Sequence, residues 1–471
     1  MLPAFCGVDF GTTNSSAAVA QGDELTVLPL DESNDSPRSL PSLLYITSES
    51  DRIVGRSAAD AFIERNVGRE VITERVDLGV SIEGYVGGEL DKEGGYRPPT
   101  DPNVREALRA MASVEVNAPG RLFQSIKGYL RLRQFTGTEV FGHFYQIEEL
   151  TAMILRHIKR AVDLHAGESI DTAVFGRPVR FSKNPEEDAL AEHRLRVAAG
   201  LAGFKNVVFF YEPVAACVEY AVATERTQRL MVVDIGGGTC DVCVMEFGGA
   251  GSQAERLANS EILGVAGVPV AGDAVDRDVI RHKLFPCFGS RARYGPSNLP
   301  MPQYLYRHIA DWQNLYKLNT EETVNWLIAA ESSSDNPKAL RALRHLIQRN
   351  YGYPVTRTVE LAKKELSSVD GVSLDIQHGD IDISEPLSRP EFEVVIEESL
   401  EEMFGSIEEA ERLAGVQPGD IDLVLTTGGT SLIPVVRRHL VERFGEEKLR
   451  HRDTFTSVAT GLSIVARHLT G

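Results

Sequence analysis

Short apolar runs separated by turn residues open the chain and predict β-strands. Phe5 to Phe10 is apolar, the turn residues Gly11-Thr12-Thr13-Asn14 follow, and Ser16 to Ala20 is small and apolar. A third strand is predicted at Leu25 to Leu30. Helix and strand patterns then alternate, with helices at Leu150 to His165, Asp188 to Ala202 and Pro213 to Ala223, and strands at Thr172 to Phe175 and Val207 to Tyr211. This alternation predicts a βα architecture around a mostly buried sheet.

The same pattern restarts near the middle of the chain. Leu230 to Asp234 is predicted as a strand, Gly236-Gly237-Gly238-Thr239 as a glycine turn, and Asp241 to Phe247 as a second strand. Both turns follow an apolar-Asp-apolar-Gly sequence, and Asp9 and Asp234 lie close to half of the 471-residue chain apart. An internal duplication explains this spacing and predicts two lobes that each begin with one hairpin.

Each lobe is predicted to carry an inserted subdomain. Lobe I spans residues 1–226 and has a glycine-rich, irregular insertion at about 41–135. Lobe II spans residues 227–471 and has a mainly helical insertion at about 272–370. The insertion is predicted to contain helices at Gln303 to Leu318, Lys338 to Gln348 and Thr356 to Leu366. After it, lobe II is predicted to contain strands at Val372 to Ile376 and Ile381 to Ile383, a helix at Pro390 to Ala414 and a strand at Asp422 to Thr426. A closing helix at 457–468 is expected to pack back on lobe I.

The composition excludes several classes of partner. The chain has 49 Lys and Arg against 68 Asp and Glu, and the net charge of −19 disfavours nucleic acid and anionic lipid. No apolar run reaches the roughly 18 to 20 residues of a membrane span, and the N-terminus lacks the basic start of a signal peptide, so we expect a cytoplasmic protein. Cys240 and Cys243 lie three residues apart in a predicted strand, so their side chains face opposite sides of the sheet, which argues against a zinc or redox site.

The two glycine turns have the chemistry that a phosphate oxygen needs. Glycine and small residues leave backbone N–H groups unhindered beside threonine hydroxyls, and two such turns facing each other would clamp a polyphosphate. Asp9 and Asp234 would add a carboxylate beside each turn for a Mg²⁺ ion held mostly through its waters. A single glycine turn is more often only a tight hairpin, so the duplication favours the phosphate site. No Gly-Lys dipeptide and no G-x-G-x-x-G after a strand occur, which excludes the Walker loop and leaves the dinucleotide fingerprint missing.

A third glycine turn, Gly428-Gly429-Thr430, follows an apolar strand and precedes a helix with Pro434 in its first turn. Its backbone would approach a nucleoside closely. Four polar residues share one face of a predicted helix: Glu360, Lys363, Lys364 and Ser367. Such a stripe by itself is most often a solvated surface.

These motifs together resemble the nucleotide-binding domain of the seventy-kilodalton heat-shock chaperones of the DnaK type, and through it the actin and sugar-kinase superfamily. The resemblance covers nearly the whole chain and is carried, in order, by Gly7 to Ser15, Tyr211 to Ala216, Val232 to Asp241, Glu360 to Ser368 and Gly428 to Thr430. Its even spread and the segment Gly176-Arg177-Pro178 resemble most the short YegD-type branch. The implied fold is α/β and actin-like, a duplicated ribonuclease H-like ATPase fold with two lobes and a subdomain inserted in each.

The resemblance implies ATP or ADP in the cleft between the lobes, with Mg²⁺ and K⁺. Asp9 and Asp234 would hold the Mg²⁺ mainly through water. The phosphates would contact Gly11, Thr12, Thr13, Asn14, Gly236, Gly237, Gly238, Thr239, Gly272 and Asp273. The adenosine would contact Glu360, Lys363, Lys364, Ser367, Gly428, Gly429, Thr430 and Leu432.

Lys127 matches the family's catalytic lysine, which positions the attacking water and stabilises charge in the transition state. Without the family, it would be one cation of a basic helix with Arg121, Arg131 and Arg133, and a solvated face would be the default interpretation.

Further residues are assigned through the same resemblance. The catalytic group would also contain Glu212, Asp234, Thr239 and Asp241, with the carboxylates of Glu212 and Asp241 near the γ-phosphate to orient water or metal. Pro178 matches a proline through which family members couple the nucleotide state to lobe rotation.

The sequence departs from the family pattern at the nucleotide site. Leu432 stands where an arginine usually stacks on the adenine, which removes a cation–π contact of about 0.5 to 2 kcal/mol. Phe455 stands where an aspartate helps to close the base pocket, and Ala271-Gly272-Asp273 replaces Gly-Gly-Glu at the second-lobe phosphate contact. We therefore expect weaker nucleotide binding. Because the sequence ends at Gly471, directly after the closing helix, we also expect no client-binding domain of its own.

The predicted function is a slow ATPase whose lobe closure acts as a nucleotide-dependent switch for an unidentified protein partner or co-chaperone, with a monomer favoured. Three alternatives stay open: a small-molecule kinase of the sugar-kinase branch, a filament-forming actin relative, and a nucleotide-binding scaffold without turnover. The helical insertion holds aromatic residues that form either a partner surface or, as the favoured interpretation, that subdomain's core: Tyr304, Tyr306, Trp312, Tyr316 and Trp326.

Overall fold

The computed structural model describes residues 4–22, 24–85, 89–90, 96–97, 105–249, 252, 255–256, 259–451 and 456–470. These residues form a mixed α/β structure, as the sequence predicts, with one large sheet in each half of the chain. The strands of the first sheet are Asn206–Tyr211, Thr172–Arg177, Ala4–Phe10, Asn14–Gln21 and Glu24–Val27, in that spatial order, with Leu40–Pro41 beside Asn14–Gln21. The strands of the second sheet are Glu261–Val268, Cys240–Phe247, Gln228–Ile235, Leu423–Thr427 and Leu449–His451, in that order.

Both sheets have the same topology, which is the structural form of the repeat in the sequence. In the first sheet, Ala4–Phe10 pairs antiparallel with Asn14–Gln21 and parallel with Thr172–Arg177, which in turn pairs parallel with Asn206–Tyr211. In the second sheet, Gln228–Ile235 pairs antiparallel with Cys240–Phe247 and parallel with Leu423–Thr427, which in turn pairs parallel with Leu449–His451. The register is also repeated, because Asp9 lies opposite Ser16 and Asp234 lies opposite Asp241. The same position at the end of the first strand therefore carries an aspartate in each half.

Helices cover both sheets because most residues of the central strands are buried. The helices of the first half are Arg56–Asn66, Ile126–Tyr129, Ile147–Ala166, Pro185–Ala202 and Glu212–Ala223. Those of the second half are Gly272–Val279, Phe285–Cys287, Tyr304–Ala310, Glu321–Ser333, Pro337–Gln348, Gly352–Glu365, Arg389–Val395, Glu397–Ala414, Pro434–Phe444 and Ser457–Thr470, with a π-helix at Ile280–Leu284 and 3₁₀ turns at Trp312–Leu318, Pro418–Asp420, Gly429–Leu432 and Glu446–Lys448. Local signals set several of these ends: Asn184 caps the first turn of Pro185–Ala202, and Gly203, at a φ of 114°, ends it.

Smaller strand pairs complete the described residues. They are Leu44–Thr47 with Arg52–Val54 and Gly120–Phe123, Thr73–Tyr85 with Arg105–Glu115, Glu89–Leu90 with Tyr96–Arg97, Gly137–Val140 with His143–Gln146, Arg293–Tyr294 with Leu299–Pro300, and Gly371–His378 with Ile381–Ser388.

Two helices are packed between the halves. The closing helix Ser457–Thr470 contacts strand Ala4–Phe10 of the first sheet and helix Glu212–Ala223. A cluster of buried side chains from both halves, including Val174, Leu230 and Leu462, joins them. The approach is close, since a Cβ on Gly7 would lie 2.4 Å from the backbone nitrogen of Ser463.

Three predictions of secondary structure are wrong in detail. The helix predicted at Gln303 to Leu318 breaks at Asp311, and the helix predicted at Pro390 to Ala414 breaks at Ile396. The region predicted as irregular contains the long hairpin Thr73–Tyr85 and Arg105–Glu115, while Gly87, Gly88, Gly94, Gly95, Pro98, Pro99 and Pro102 lie outside the described residues. Packing explains the break at Asp311, because it turns Trp312 into an aromatic cluster with residues of the first half.

The aromatic residues of the helical insertion divide between the two interpretations. Tyr306 and Trp312 are buried, while Tyr304 is 54% exposed, and Tyr316 and Trp326 are half-buried.

Among the described residues, no helix combines the length and the apolar character that crossing a bilayer needs.

Cys240 and Cys243 are both buried, and each contributes to a different core cluster. The predicted opposite orientation of the two thiols is therefore confirmed.

Candidate functional site

A cavity of about 490 Å³ lies between the two halves of the chain. Both glycine turns line it, as do the third glycine turn and the polar face of helix Gly352–Glu365. Most of the residues singled out in the sequence meet there: Asp9, Gly11, Thr12, Thr13, Asn14, Lys127, Glu212, Asp234, Gly236, Gly237, Gly238, Thr239, Asp273, Glu360, Lys363, Lys364, Ser367, Gly428, Gly429, Thr430 and Leu432. Gly272 lies directly behind the cavity wall, where its N–H donates to the carbonyl of Gly236.

Each glycine turn is fixed from behind by its own half. In the first turn, Ser42 donates its hydroxyl to the carbonyl of Gly11 and its N–H to the carbonyl of Thr13, both at 2.8 Å. In the second, the carbonyl of Gly236 accepts from the Thr430 hydroxyl at 2.8 Å, and the carbonyl of Gly237 accepts from the backbone N–H of Asp273 at 2.7 Å. These bonds hold both turns rigid before any ligand binds.

The two turns face each other at a distance that only glycine allows. A Cβ on Gly237 would lie 1.9 Å from Oγ1 of Thr13, and a Cβ on Gly238 would lie 2.5 Å from Oγ1 of Thr12. The turns therefore offer glycine backbone and threonine hydroxyls to the same space, which is the arrangement that phosphate oxygens require.

A buried cluster of charged groups lies beside the turns. Lys127 Nζ forms an ion pair with Glu212 Oε1 at 2.7 Å, and both side chains are less than a tenth exposed. Asp9, Asp234 and Asp241 interact electrostatically with the same lysine. One ammonium group therefore faces four carboxylates in a place shielded from water.

Burial and this imbalance of charge shift the pKa values of Asp9, Asp234, Asp241 and Lys127. Burial, reinforced by repulsion from Glu212, raises the pKa of Asp9 to about 7, raises the pKa of Asp241 to about 7, and raises the pKa of Asp234 well above its usual value. Burial opposes the charge of Lys127, but Glu212 and Asp9 outweigh it and raise the lysine's pKa. The cluster is therefore short of positive charge.

Lys127 is not part of a basic helix, so the interpretation as a solvated cation is wrong. It lies in the single helical turn Ile126–Tyr129, while Arg121 lies in strand Gly120–Phe123 and Arg131 and Arg133 follow the turn. The pairing with Glu212 explains its burial, because a charged lysine is buried only with a partner.

The cluster fits a divalent cation. Carboxylate oxygens are the ligands that Mg²⁺ prefers, and Oδ2 of Asp241 is buried without a hydrogen-bond partner among the described residues. No group of three or more His, Cys, Asp or Glu side chains in the described part of the chain is arranged to hold a metal directly. An ion beside Asp9 and Asp234 would need water and phosphate oxygens for the rest of its shell.

The electrostatics predict a pH dependence of the effect of Mg²⁺ on stability. Because the folded pKa of Asp9 and Asp241 is about 7 against 3.8 for an ordinary Asp, the folded protein holds protons there that the unfolded chain has lost. The protons held by Asp9 and Asp241 stabilise the folded state. Their contribution to the free energy of unfolding is fully present below pH 3.8 and is lost as the pH rises through about 7. Thermal unfolding should therefore show a larger rise in Tm with Mg²⁺ at about pH 8 than at about pH 5, where protons already neutralise the cluster. Equal shifts at both pH values would contradict this.

Asp241 and Pro178 lie outside the cavity lining but are joined to it. Asp241 is 1% exposed, and its Oδ1 accepts the backbone N–H of Val179 at 2.6 Å. Pro178 is buried and precedes Val179 directly. A residue of the first half therefore binds a carboxylate of the second sheet at the back of the charged cluster.

The predicted adenosine side is more constrained than the sequence suggests. Lys363 Nζ is already bonded to Asp276 Oδ2 at 2.8 Å and to the carbonyl of Gly272 at 3.1 Å. Glu360 accepts from Arg357 at 2.8 Å. Ser367 lies just beyond the helix end but still lines the cavity.

Of the two departures from the family pattern near the predicted base, only Leu432 lies among the described residues. Leu432 lines the cavity and is 49% exposed, so it offers an apolar surface at the position where the resembled family usually carries a stacking arginine. Phe455 lies outside the described residues. Burial and the nearby charge of Arg357 lower the pKa of Lys364, whose side chain also lines the cavity.

Sequence reasoning missed the residues that reach the cavity from segments without a motif. They include Asn34, Asp35, Arg56, Asp60, Gln124, Asp276, Tyr353 and Arg357. Only the tertiary structure brings these residues to the cavity, because the sequence around each of them carries no motif that indicates a binding site.

A family model described as Hsp70 protein matches residues 131–282 and 340–471, which is more than half of the chain. Two curated relatives, both described as chaperone protein DnaK and coming from two strains of Thermus thermophilus, are each 26% identical over 473 residues. The alignment covers 99% of this chain, and the chain spans 61% of the length of these relatives.

Proposed function

Because this chain belongs to the Hsp70 family, whose chaperones are ATPases, we propose that it binds ATP in the cavity, hydrolyses it slowly and acts as a nucleotide-dependent switch for a protein partner. The observation that carries the proposal is the meeting of two duplicated glycine turns at a buried cluster of one lysine and four carboxylates. A polyphosphate with a divalent cation supplies both the anion for the turns and the charge that the cluster lacks.

The nucleotide would lie across the cavity with its phosphates between the turns. Gly11 to Asn14 and Gly236 to Thr239 would contact the phosphates, and Gly272 and Asp273 would support them from the second half. Asp9 and Asp234 would hold Mg²⁺ mainly through water, and K⁺ would neutralise further charge. When bound, the cation would withdraw charge from the phosphate oxygens.

The adenosine would lie against helix Gly352–Glu365 and the third glycine turn. Glu360 would accept from ribose hydroxyls, while Lys364 and Leu432 would flank the base. Lys363 is held by Asp276, so its role would be to fix Gly272 and the phosphate side as much as to contact the ribose.

Hydrolysis would depend on the buried ion pair. Lys127 would orient the attacking water and stabilise the charge that develops on the transferred phosphoryl group. Glu212 holds the ammonium group at 2.7 Å. Asp241 is buried behind the cavity lining, where burial raises its pKa to about 7, and Thr239 would hold its carboxylate in place, so it would act on the water or the metal through its charge.

The switch would use contacts between the halves that depend on closure. Phe62 of the first half packs against Trp312 and Tyr353 of the second, with ring centroids 5.5 Å from each. The N–H groups of Gly68 and Val71 donate at 2.9 Å to backbone carbonyls of the second half. Opening would break these contacts, and Pro178 would pass the change from Asp241 to the first half.

The proposal is tested by binding and turnover measured separately. Calorimetric titration with ATP and with ADP, in Mg²⁺ and K⁺, should give saturable binding of both nucleotides. Single-turnover hydrolysis of the bound ATP should then be slow and independent of any small-molecule acceptor. Absence of binding at millimolar nucleotide would leave a scaffold on an inherited fold, and acceptor-dependent ADP release would indicate a kinase instead.

A further inference from the structure

Two residues of the first half reach across the cavity immediately before the helical turn that carries the buried lysine. The side-chain amide of Gln124 donates to Oε1 of Glu360 at 3.2 Å, and Oγ of Ser125 donates to Oδ2 of Asp273 at 3.2 Å. The carbonyl of Gln124 also accepts from the side-chain amide of Gln313 at 3.3 Å. Gln124 and Ser125 thus form a cross-cavity bridge, joined to the second half by three hydrogen bonds.

The backbone of Ser125 directs its hydroxyl to Asp273 and not to the first turn of the helix that follows. Ser125 precedes helix Ile126–Tyr129 at the position where a serine hydroxyl ordinarily caps the first turn. Here its φ is 55°, in the left-handed region that costs a non-glycine residue free energy, and its side chain makes no capping bond. Strain of this kind persists only when the surroundings impose it and is concentrated at functional sites. The contact with Asp273 across the cavity is what this conformation provides.

The Gln124 side chain is also committed to the opposite half. Its Oε1 is buried without a hydrogen-bond partner among the described residues, which is unfavourable, while its amide nitrogen is bonded to Glu360. The other oxygen of Glu360 accepts from Arg357 at 2.8 Å. The carboxylate of Glu360 is therefore held from both sides of the cavity at once.

We infer that Gln124 and Ser125 are positioning residues that place Lys127 on Glu212 when the two halves close around a nucleotide. The inference rests on the proposed function, in which Glu360 and Asp273 lie at the two ends of the nucleotide. Only Ile126 separates Ser125 from Lys127 in the chain, so no loop absorbs a displacement between them. A misplacement of about 1 Å at a reacting group can cost about 10²-fold in rate.

Ser125→Ala in the full chain tests the bridge. We expect the single-turnover rate constant to fall about tenfold or more, while the Kd for ATP changes less than about threefold. Ser125→Asn should restore most of the rate, because asparagine tolerates the left-handed conformation and its amide can donate to Asp273. The matched control is Ser373→Ala, which removes a serine-to-aspartate hydrogen bond of 2.7 Å on an exposed hairpin and should leave the rate unchanged.

A second readout does not depend on turnover. Hydrogen exchange of the amides of residues 126–130 in nucleotide-free protein should be faster in Ser125→Ala than in the wild type, and unchanged in Ser373→Ala. If Ser125→Ala does not fold, Gln124→Met removes the other cross-cavity donor at similar volume and should produce the same separation of rate from affinity.

The outcomes separate this inference from the proposed function. Unchanged rates in Ser125→Ala and Gln124→Met, in a protein that hydrolyses ATP and loses hydrolysis in Lys127→Ala, overturn the bridge and leave the ATPase standing. Rate and affinity that fall together with Tm also overturn it, since they indicate a merely structural role. A wild-type protein that neither binds nor hydrolyses ATP overturns both.

Discussion

Lys127→Ala is expected to lower the single-turnover rate of ATP hydrolysis by about 10²- to 10³-fold, the usual cost of removing a donor that acts in the transition state. The Kd for ATP should change less than about threefold, because a lysine in this role contributes little to ground-state binding. Removing it leaves Glu212 without its partner at 2.7 Å, so some loss of stability is expected as well. Calorimetry, single-turnover kinetics and thermal unfolding measure the three quantities separately.

Lys159→Ala is the matched control for this prediction. Lys159 is also buried, and its Nζ forms an ion pair with Asp163 at 2.6 Å, but in the first half and outside the cavity lining. It should lose stability and keep its rate of hydrolysis at saturating ATP. If binding and turnover fall together in Lys127→Ala, or if neither changes, the catalytic role assigned to Lys127 is wrong.

Gly428→Ala is expected to weaken ATP binding by about 100-fold and to destabilise the fold by about 1 to 3 kcal/mol. Gly428 has a φ of 85°, and a Cβ there would lie 2.1 Å from the carbonyl oxygen of Ile235 and 2.3 Å from its carbon. Backbone atoms cannot rotate out of the way, so the third glycine turn must move from the strand end that leads into Gly236. The substitution should therefore move the third glycine turn, which is predicted to contact the base, away from the second glycine turn, which is predicted to contact the phosphates.

The neighbouring Gly429→Ala provides the comparison. A Cβ on Gly429 would meet no atom within 4 Å. Its stability should match the wild type, and any effect on ATP binding would come from direct contact with the nucleotide. Tm and the calorimetric Kd distinguish the two variants, and wild-type ATP affinity in Gly428→Ala would mean that the third turn does not shape the site.

The paired turns are the part of the site that sequence reasoning reaches best. The residue seven positions after each aspartate, Ser16 or Asp241, lies opposite it in the hairpin, so one local pattern sets both the register and the place of the carboxylate. Buried strands and glycine turns are local signals, and they carry most of the information here.

The rest of the site depends on packing between the halves. The burial of Lys127 cannot be read from its neighbours in sequence, because it follows from Glu212, which comes from the other end of the first half. Gln124 and Ser125 belong to no motif, and their contacts exist only once the two halves meet. The break at Asp311 has the same origin, since Trp312 packs against Phe62.

The measurement that tests the central claim most directly is the fluorescence of Trp312 in each nucleotide state. The chain has two tryptophans, so Trp326→Phe leaves Trp312 as the sole reporter, and Trp312 packs against Phe62 of the first half and Tyr353 of the second. We predict different emission with bound ATP and with bound ADP, a change between them at the rate of single-turnover hydrolysis, and no such change in the Lys127→Ala background. Identical emission in both states, despite calorimetric binding of both nucleotides, would contradict a nucleotide-dependent switch.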